Sequence, residues 1–272
     1  MRKKGKLLLT LAGTAVLLGF LFRILIWSAS SPAAQIPAEP AETAQNEGRQ
    51  ARQSVIVIDA GHGGMDGGAS STDGIFEKDI NLAIARYLQK EMEGYPLQVV
   101  MTREEDCGLY TDDDRPIRAK KREDLLNRKK MIEKESVTLG ISIHLNSFPE
   151  NENVYGAQVF YPKETGGQTA VPAGTFTSRE AAEAVQKALE TNISDGRERS
   201  AMSKSDILLF ENPTGRVILV ECGFLSNPRE CELLQKAEYQ QLLAASIWEG
   251  VNEILCLEKT KNIEVIYSAN KA

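Results

Sequence analysis

Three short aliphatic runs in this chain each end in a residue with chemistry to offer. Val55-Ile56-Val57-Ile58 runs into Asp59-Ala60-Gly61-His62-Gly63-Gly64. Leu139-Gly140-Ile141-Ser142-Ile143 runs into His144-Leu145-Asn146-Ser147, and Val217-Ile218-Leu219-Val220 runs into Glu221-Cys222-Gly223-Phe224. Near-continuous aliphatic runs of this length suit strands buried on both faces, the pattern of α/β sheets. Val99–Met101 and Gly156–Tyr161 read as further strands. Between them the apolar period lengthens. Glu77–Glu93 places Ile80, Ala83, Ile84, Tyr87 and Leu88 on one helical face, and Asp124–Glu135 does the same with Leu125, Leu126 and Ile132. Thr177-Ser178-Arg179-Glu180 has the form of a capping box, opening a helix that runs to Glu190. Arg229–Leu257 predicts one or two helices broken near Ala237-Glu238. This alternation predicts a single α/β domain over residues 54–257, with a mostly parallel central sheet flanked by helices on both faces. Residues 258–272 read as a tail.

The first 27 residues read differently. Arg2, Lys3, Lys4 and Lys6 precede an uncharged, mostly apolar stretch, Leu7–Phe22, followed by Arg23 and Ile24-Leu25-Ile26-Trp27. Leu7–Trp27 would rise about 31 Å as a helix, enough to cross a bilayer core. An export signal or membrane anchor is expected here. The basic flank places the body outside the cytoplasm. Residues 28–53 are rich in Ala, Pro, Gln and Glu without an apolar period, as a disordered linker would be. Residues 1–27 hold five basic side chains and no acid, which leaves 27 basic against 38 acidic residues in the rest of the chain. So acidic a body is a poor partner for nucleic acid, whose phosphates need clustered Lys and Arg. None of Cys107, Cys222, Cys231 and Cys256 forms a C-x-x-C pair, so free, buried thiols are expected rather than a thiolate metal site.

The chain has two histidines, His62 and His144, and both stand just past a strand-like run. In open α/β sheets, sites form outside the carboxyl ends of strands, so two histidines placed there from different strands can converge. Neutral imidazole is the commonest metal ligand, and a catalytic zinc usually takes three protein ligands. Glu77, at the start of its helix, is a candidate third ligand, and Asp66 and Asp79 are rivals that spacing alone leaves open. Glu221 also ends a strand. It has three roles open to it: a further ligand, a member of an ion pair, or a general base. The glycines around His62 suit close backbone approach. A phosphate loop is the weaker reading, because no G-x-x-x-x-G-K-[ST] is present.

Taken together, Val57–Gly64, Glu77–Leu82, Thr102-Arg103, Ser142–Asn146 and Val220–Asn227 resemble, in order, the motifs of the zinc-dependent N-acetylmuramoyl-L-alanine amidases of the amidase-3 type. The resemblance spans about residues 54–257. It implies one Zn²⁺ per chain held by His62, Glu77 and His144, with Glu221 as the catalytic carboxylate; Asn146, two residues past His144, is a candidate donor near the substrate carbonyl. It also implies peptidoglycan as substrate, cut between N-acetylmuramic acid and the L-alanine of the stem peptide. The basic stretch Lys121–Leu125, the segment Gly156–Tyr161 and the single anchor without wall-binding repeats look like the spore-cortex branch of the family, which forms muramic lactam. That branch implies work at the cell wall or in the forespore intermembrane space, contact with the membrane through the N-terminal segment, and room for an activating protein partner. Some relatives carry an inhibitory helix, and the 14 residues between His62 and Glu77 leave little space for one. The Gly/Pro/Ala loop Gly166–Gly174 departs from the expected shorter link and leaves loop-borne substrate contacts open. Two other functions compete. A carboxypeptidase-like zinc peptidase would call for an H-x-x-E pair, whereas Glu77 lies 15 positions after His62. An inactive wall-binding module would be favoured by loss of Glu221 or a histidine, and all are present.

Overall fold

The computed structural model describes residues 53–163, 175–193, 196 and 198–260. The expected anchor (1–27), nearly all of the linker (28–53), the loop Gly166–Gly174 and the tail from residue 261 onward lie outside them. Among the described residues no helix is long and apolar enough to cross a membrane.

Six strands form one sheet: β1 (Ser54–Ala60), β2 (Leu97–Met101), β3 (Leu139–Asn146), β4 (Gln158–Pro162), β5 (Met202–Lys204) and β6 (Val217–Phe224). Their spatial order is β2-β1-β3-β6-β4-β5. The neighbours β1–β2, β1–β3, β3–β6 and β4–β5 are parallel, and β4 runs antiparallel to β6. The expected mostly parallel sheet is found. Among the described residues the helices are α1 (Glu77–Glu91), α2 (Ile117–Ile132), α3 (Ser178–Ile193), α4 (Pro228–Leu234) and α5 (Ala237–Leu255).

Alternate residues of the central strands feed two cores, which is why these strands read as unbroken aliphatic runs. Ile56, Ile58, Ile141, Ile143 and Val220 pack with Ile84 and Leu88 of α1, Val185 and Leu189 of α3, Leu234 of α4, and Leu243, Ile247 and Val251 of α5. On the other face Val57, Val217 and Leu219 pack with Ile132 of α2 and with Leu209 and Phe210 of a short 3₁₀ turn. Each fully buried aliphatic side chain contributes about 1.5–3 kcal/mol by leaving water.

Local signals set several boundaries. The capping box is realised: Glu180 N donates to Thr177 Oγ1 at 3.1 Å and Thr177 N donates to Glu180 Oε2 at 2.7 Å. Asn227 caps α4, accepting from Glu230 N at 2.9 Å, with Pro228 in the first turn. The break between α4 and α5 falls at Gln235-Lys236, just before the expected point. Helix α2 starts seven residues earlier than its apolar period indicates, directly after Pro116. Its first turn faces solvent with Ile117 exposed, so periodicity could not mark it, and of the three residues expected on the apolar face only Ile132 is buried, Leu125 and Leu126 being exposed. The three-residue β5 and the 3₁₀ turn were not foreseen, being too short to carry a period. All four cysteines are free thiols, but the expectation that they are buried holds only for Cys222 and Cys231. Cys107 is half-buried and Cys256 is exposed at the end of α5.

Candidate metal centre

Beyond β1 the chain is pulled into an unusual path. Gly61 N still donates to Ile143 O at 3.0 Å, extending the pairing with β3, and His62 then adopts φ 62°, a left-handed conformation uncommon for a residue with a side chain. Two buried guanidiniums hold this turn. Arg103 donates to Ala60 O (2.9 Å) and Gly61 O (3.1 Å), while Arg128 donates to Ala60 O (2.7 Å) and His62 O (2.6 Å). The charge of Arg128 is met by fully buried Asp59 at 2.7 Å. Asp59 also accepts from Thr102 Oγ1 (2.7 Å) and Ser142 Oγ (2.6 Å). Burial alone would raise the Asp59 pKa, but Arg128 and these hydroxyls hold it below the usual carboxylate value. Gly61 must remain glycine, since a Cβ there would lie 2.3 Å from the His144 ring.

Glu77 opens α1 and is buried. Its Oε1 lies 3.2 Å from His62 Nε2 and 3.1 Å from His144 Nδ1, and accepts from Leu145 N (3.0 Å) and Asn81 Nδ2 (3.1 Å). Its Oε2 accepts from Ala69 N at 2.8 Å. Burial opposes the charge of Glu77, yet the two imidazoles outweigh it and keep the carboxyl well below its ordinary range. One ligand atom from each of His62, Glu77 and His144 lies within 4.8 Å of the others, a group that can hold a metal ion. Two imidazoles and a carboxylate are the donor set zinc accepts, and their spacing lets all three reach a single ion.

The other sequence candidates are placed as follows. Asp66 stands behind His62, with Oδ2 3.0 Å from Nδ1, and its Oδ1 accepts from Lys121 Nζ at 2.7 Å. It orients the ring from outside the cluster, as carboxylates commonly do for metal-binding histidines. Burial disfavours the His62 imidazolium, but the bonds to Asp66 and Glu77 prevail and raise its pKa to about 9. Asp79 is exposed on α1, away from the cluster. Glu221 lies beside His144 as its register partner on the neighbouring parallel strand, so both side chains leave the same face of the sheet. Glu221 Oε2 is shielded from solvent without a hydrogen-bond partner among the described residues, and burial pushes the carboxyl pKa up. Asn146 ends β3, and its Oδ1 accepts from Ser147 N at 2.8 Å.

Sequence reasoning missed the supporting shell of Arg128, Asp59, Asn81 and the Lys121–Asp66 link. Arg128 is one of seven cations in α2, and nothing in its spacing marks it as the buried one.

Comparison with known proteins finds relatives across the folded domain. The chain is 36% identical over 198 residues to the germination-specific N-acetylmuramoyl-L-alanine amidase of Bacillus subtilis, covering 72% of this chain and 78% of that protein. Its fold matches the CwlD amidase of Clostridioides difficile, solved in complex with the GerS lipoprotein, with TM-score 0.68 and 37% identity over 75% of this chain and 99% of the other. The catalytic domain of CwlV from Bacillus (Paenibacillus) polymyxa aligns with TM-score 0.61 and 26% identity, covering 76% of this chain and all of that one. The sequence profile of one family spans residues 56–253, taking in every strand and helix that builds the metal cluster, and on that match the chain belongs to the N-acetylmuramoyl-L-alanine amidase family, amidase-3 type.

Proposed function

We propose that this chain is a zinc-dependent hydrolase that cuts the amide between the lactyl group of N-acetylmuramic acid and the L-alanine of the stem peptide, acting in spore-cortex peptidoglycan. The observation that carries this reading is the convergence of His62, Glu77 and His144, with Glu221 in register beside His144. His62, Glu77 and His144 would hold one zinc ion. Bound there, zinc would supply a Lewis acid that makes water a nucleophile near neutral pH and polarises the lactyl carbonyl.

The protein's own residues do the rest. Asp66 fixes the His62 ring through Nδ1, leaving Nε2 for the metal. Among the described residues Glu221 has no competing partner for Oε2, and its burial favours proton uptake. It removes a proton from the attacking water and delivers it to the alanine nitrogen as the C–N bond breaks, acting as base and then acid. Asn146 serves as a side-chain donor near the carbonyl oxygen.

Residues 54–257 would form the catalytic domain and 258–272 its tail. Residues 1–27 would export the chain or anchor it in the membrane, with 28–53 as a linker, placing the enzyme outside the cytoplasm. The complex of the CwlD relative with a lipoprotein supports an activating protein partner for this chain too.

The test is mass spectrometry of soluble products from purified peptidoglycan incubated with the full chain, with and without zinc. Free stem peptides beginning with L-alanine, released only with zinc, are expected. Release of peptides cut at another bond would overturn the reading.

A further inference from the structure

Past Glu221, the face of the sheet that carries His144 and Glu221 continues onto β4 and β5. Phe160 of β4 is paired directly with Leu219, two residues before Glu221 on the same strand, so Phe160 and Glu221 leave the same face. Met202 of β5 pairs with Phe160, and Lys204 follows two residues on. The Lys204 ammonium lies 4.9 Å from the centroid of the Phe160 ring. Cover is thin here: Phe160 is half-buried, and Met202 and Ser203 are exposed. Among the described residues Lys204 belongs to no ion pair, although its charge reaches Glu221. A cation held over an aromatic ring, half withdrawn from water and without an acidic partner, is prepared for an anion.

The proposed reaction, on which this inference rests, limits what that anion is. On the muramic acid side of the scissile bond the lactyl carboxyl is consumed in the amide and carries no charge. The stem peptide offers free carboxylates a short distance beyond the alanine. We propose that Lys204 receives a carboxylate of the stem peptide, so that the peptide leaves the centre over β4 and β5 and the glycan lies on the opposite side. Lys204 is then a specificity-determining residue for substrates whose second stem residue keeps its carboxylate.

The test uses the zinc-loaded full chain and two synthetic substrates. One is N-acetylmuramoyl-L-alanyl-γ-D-glutamyl methylamide, whose α-carboxylate is free and whose γ-carboxyl is blocked as in a longer stem, and the other is its D-isoglutaminyl methylamide twin, in which that α-carboxylate is a carboxamide. Kinetics are followed on both, and calorimetry records binding of the two released dipeptides. The wild-type chain is expected to show a KM about tenfold lower for the carboxylate form, the size of one partly exposed charge-assisted hydrogen bond. Lys204→Met should abolish that preference in both KM and dipeptide affinity, and Lys204→Arg should keep it. An equal fall of kcat on both substrates with the preference intact would mean that Lys204 acts only on Glu221, and would overturn the inference. So would a wild-type chain indifferent to the two forms. If the wild-type chain cleaves neither substrate yet binds the carboxylate dipeptide through Lys204, the proposed reaction fails while the carboxylate site stands. If it neither cleaves nor binds, both fail.

Discussion

Single side chains in this protein are held by what surrounds them rather than by their own preference. His62 stands in a left-handed conformation because two buried arginines grip the carbonyls of Ala60, Gly61 and His62. Its raised pKa, about 9, has a consequence for metal uptake. Below that value the metal-free ring carries a proton that a metal must displace, so zinc affinity should climb about tenfold per pH unit up to that point. Calorimetry in two buffers of different protonation enthalpy should show close to one proton released per zinc at neutral pH. The same shift bears on the metal-free fold. A histidine whose pKa is raised on folding stabilises fully below the unfolded value of 6.5, and the contribution fades as pH rises through 9. Glu221 gives a second prediction. Glu221→Ala should bind zinc normally and lose about 10²–10⁴ in turnover, the usual cost of removing a positioned general base. His62→Ala or His144→Ala should lose metal and activity together. Metal analysis beside kinetics separates the two cases, and loss of zinc from Glu221→Ala would make that residue a ligand.

At the level of elements, the centre depends on contacts between α2 and the end of β1. Arg128 reaches from α2 to Asp59, and both are buried. Removing one partner of such a pair leaves an uncompensated charge, a loss of about 3–5 kcal/mol. Arg128→Met should therefore lower the urea midpoint steeply and weaken zinc binding as well, since the same guanidinium supports the His62 carbonyl. The core between strands and helices makes a separate contribution. Ile141 is fully buried in β3, and Ile141→Ala should cost about 2–5 kcal/mol in denaturant unfolding. Zinc affinity should change little in the folded fraction, because the side chain points to the core opposite the centre. The elements that a sequence reading locates well are β1, β3 and β6, from their unbroken aliphatic runs, and α1, from its strong helical period. Helix α2 is located poorly because its buried side is polar, built on Arg128 rather than on an apolar stripe.

Across the whole molecule, the metal centre joins the ends of β1 and β3 to the start of α1, and Glu77 and His144 lie 67 residues apart in sequence. A ligand that binds only the folded state stabilises it by mass action, about 4 kcal/mol at a thousandfold excess over its Kd. Chelation of zinc should thus lower Tm by several degrees, and added zinc should restore it; a Tm indifferent to chelation would count against a tight site. The aliphatic runs by themselves determined the buried parallel strands, because only a sheet covered on both faces can use such runs. The strand-end rule also placed His62, His144 and Glu221 at the carboxyl ends of the central strands. The choice of Glu77 over Asp66 and Asp79 was left open by spacing and rested on family resemblance. The tertiary structure separates the three: Glu77 points between the imidazoles, Asp66 sits behind one of them, and Asp79 faces solvent. Strand order, the antiparallel turn of β4, and the burial of Arg128 against Asp59 were likewise decided only by packing. Periodicity reports which face of an element is apolar, whereas the pairing of distant charges depends on where the folded chain brings them.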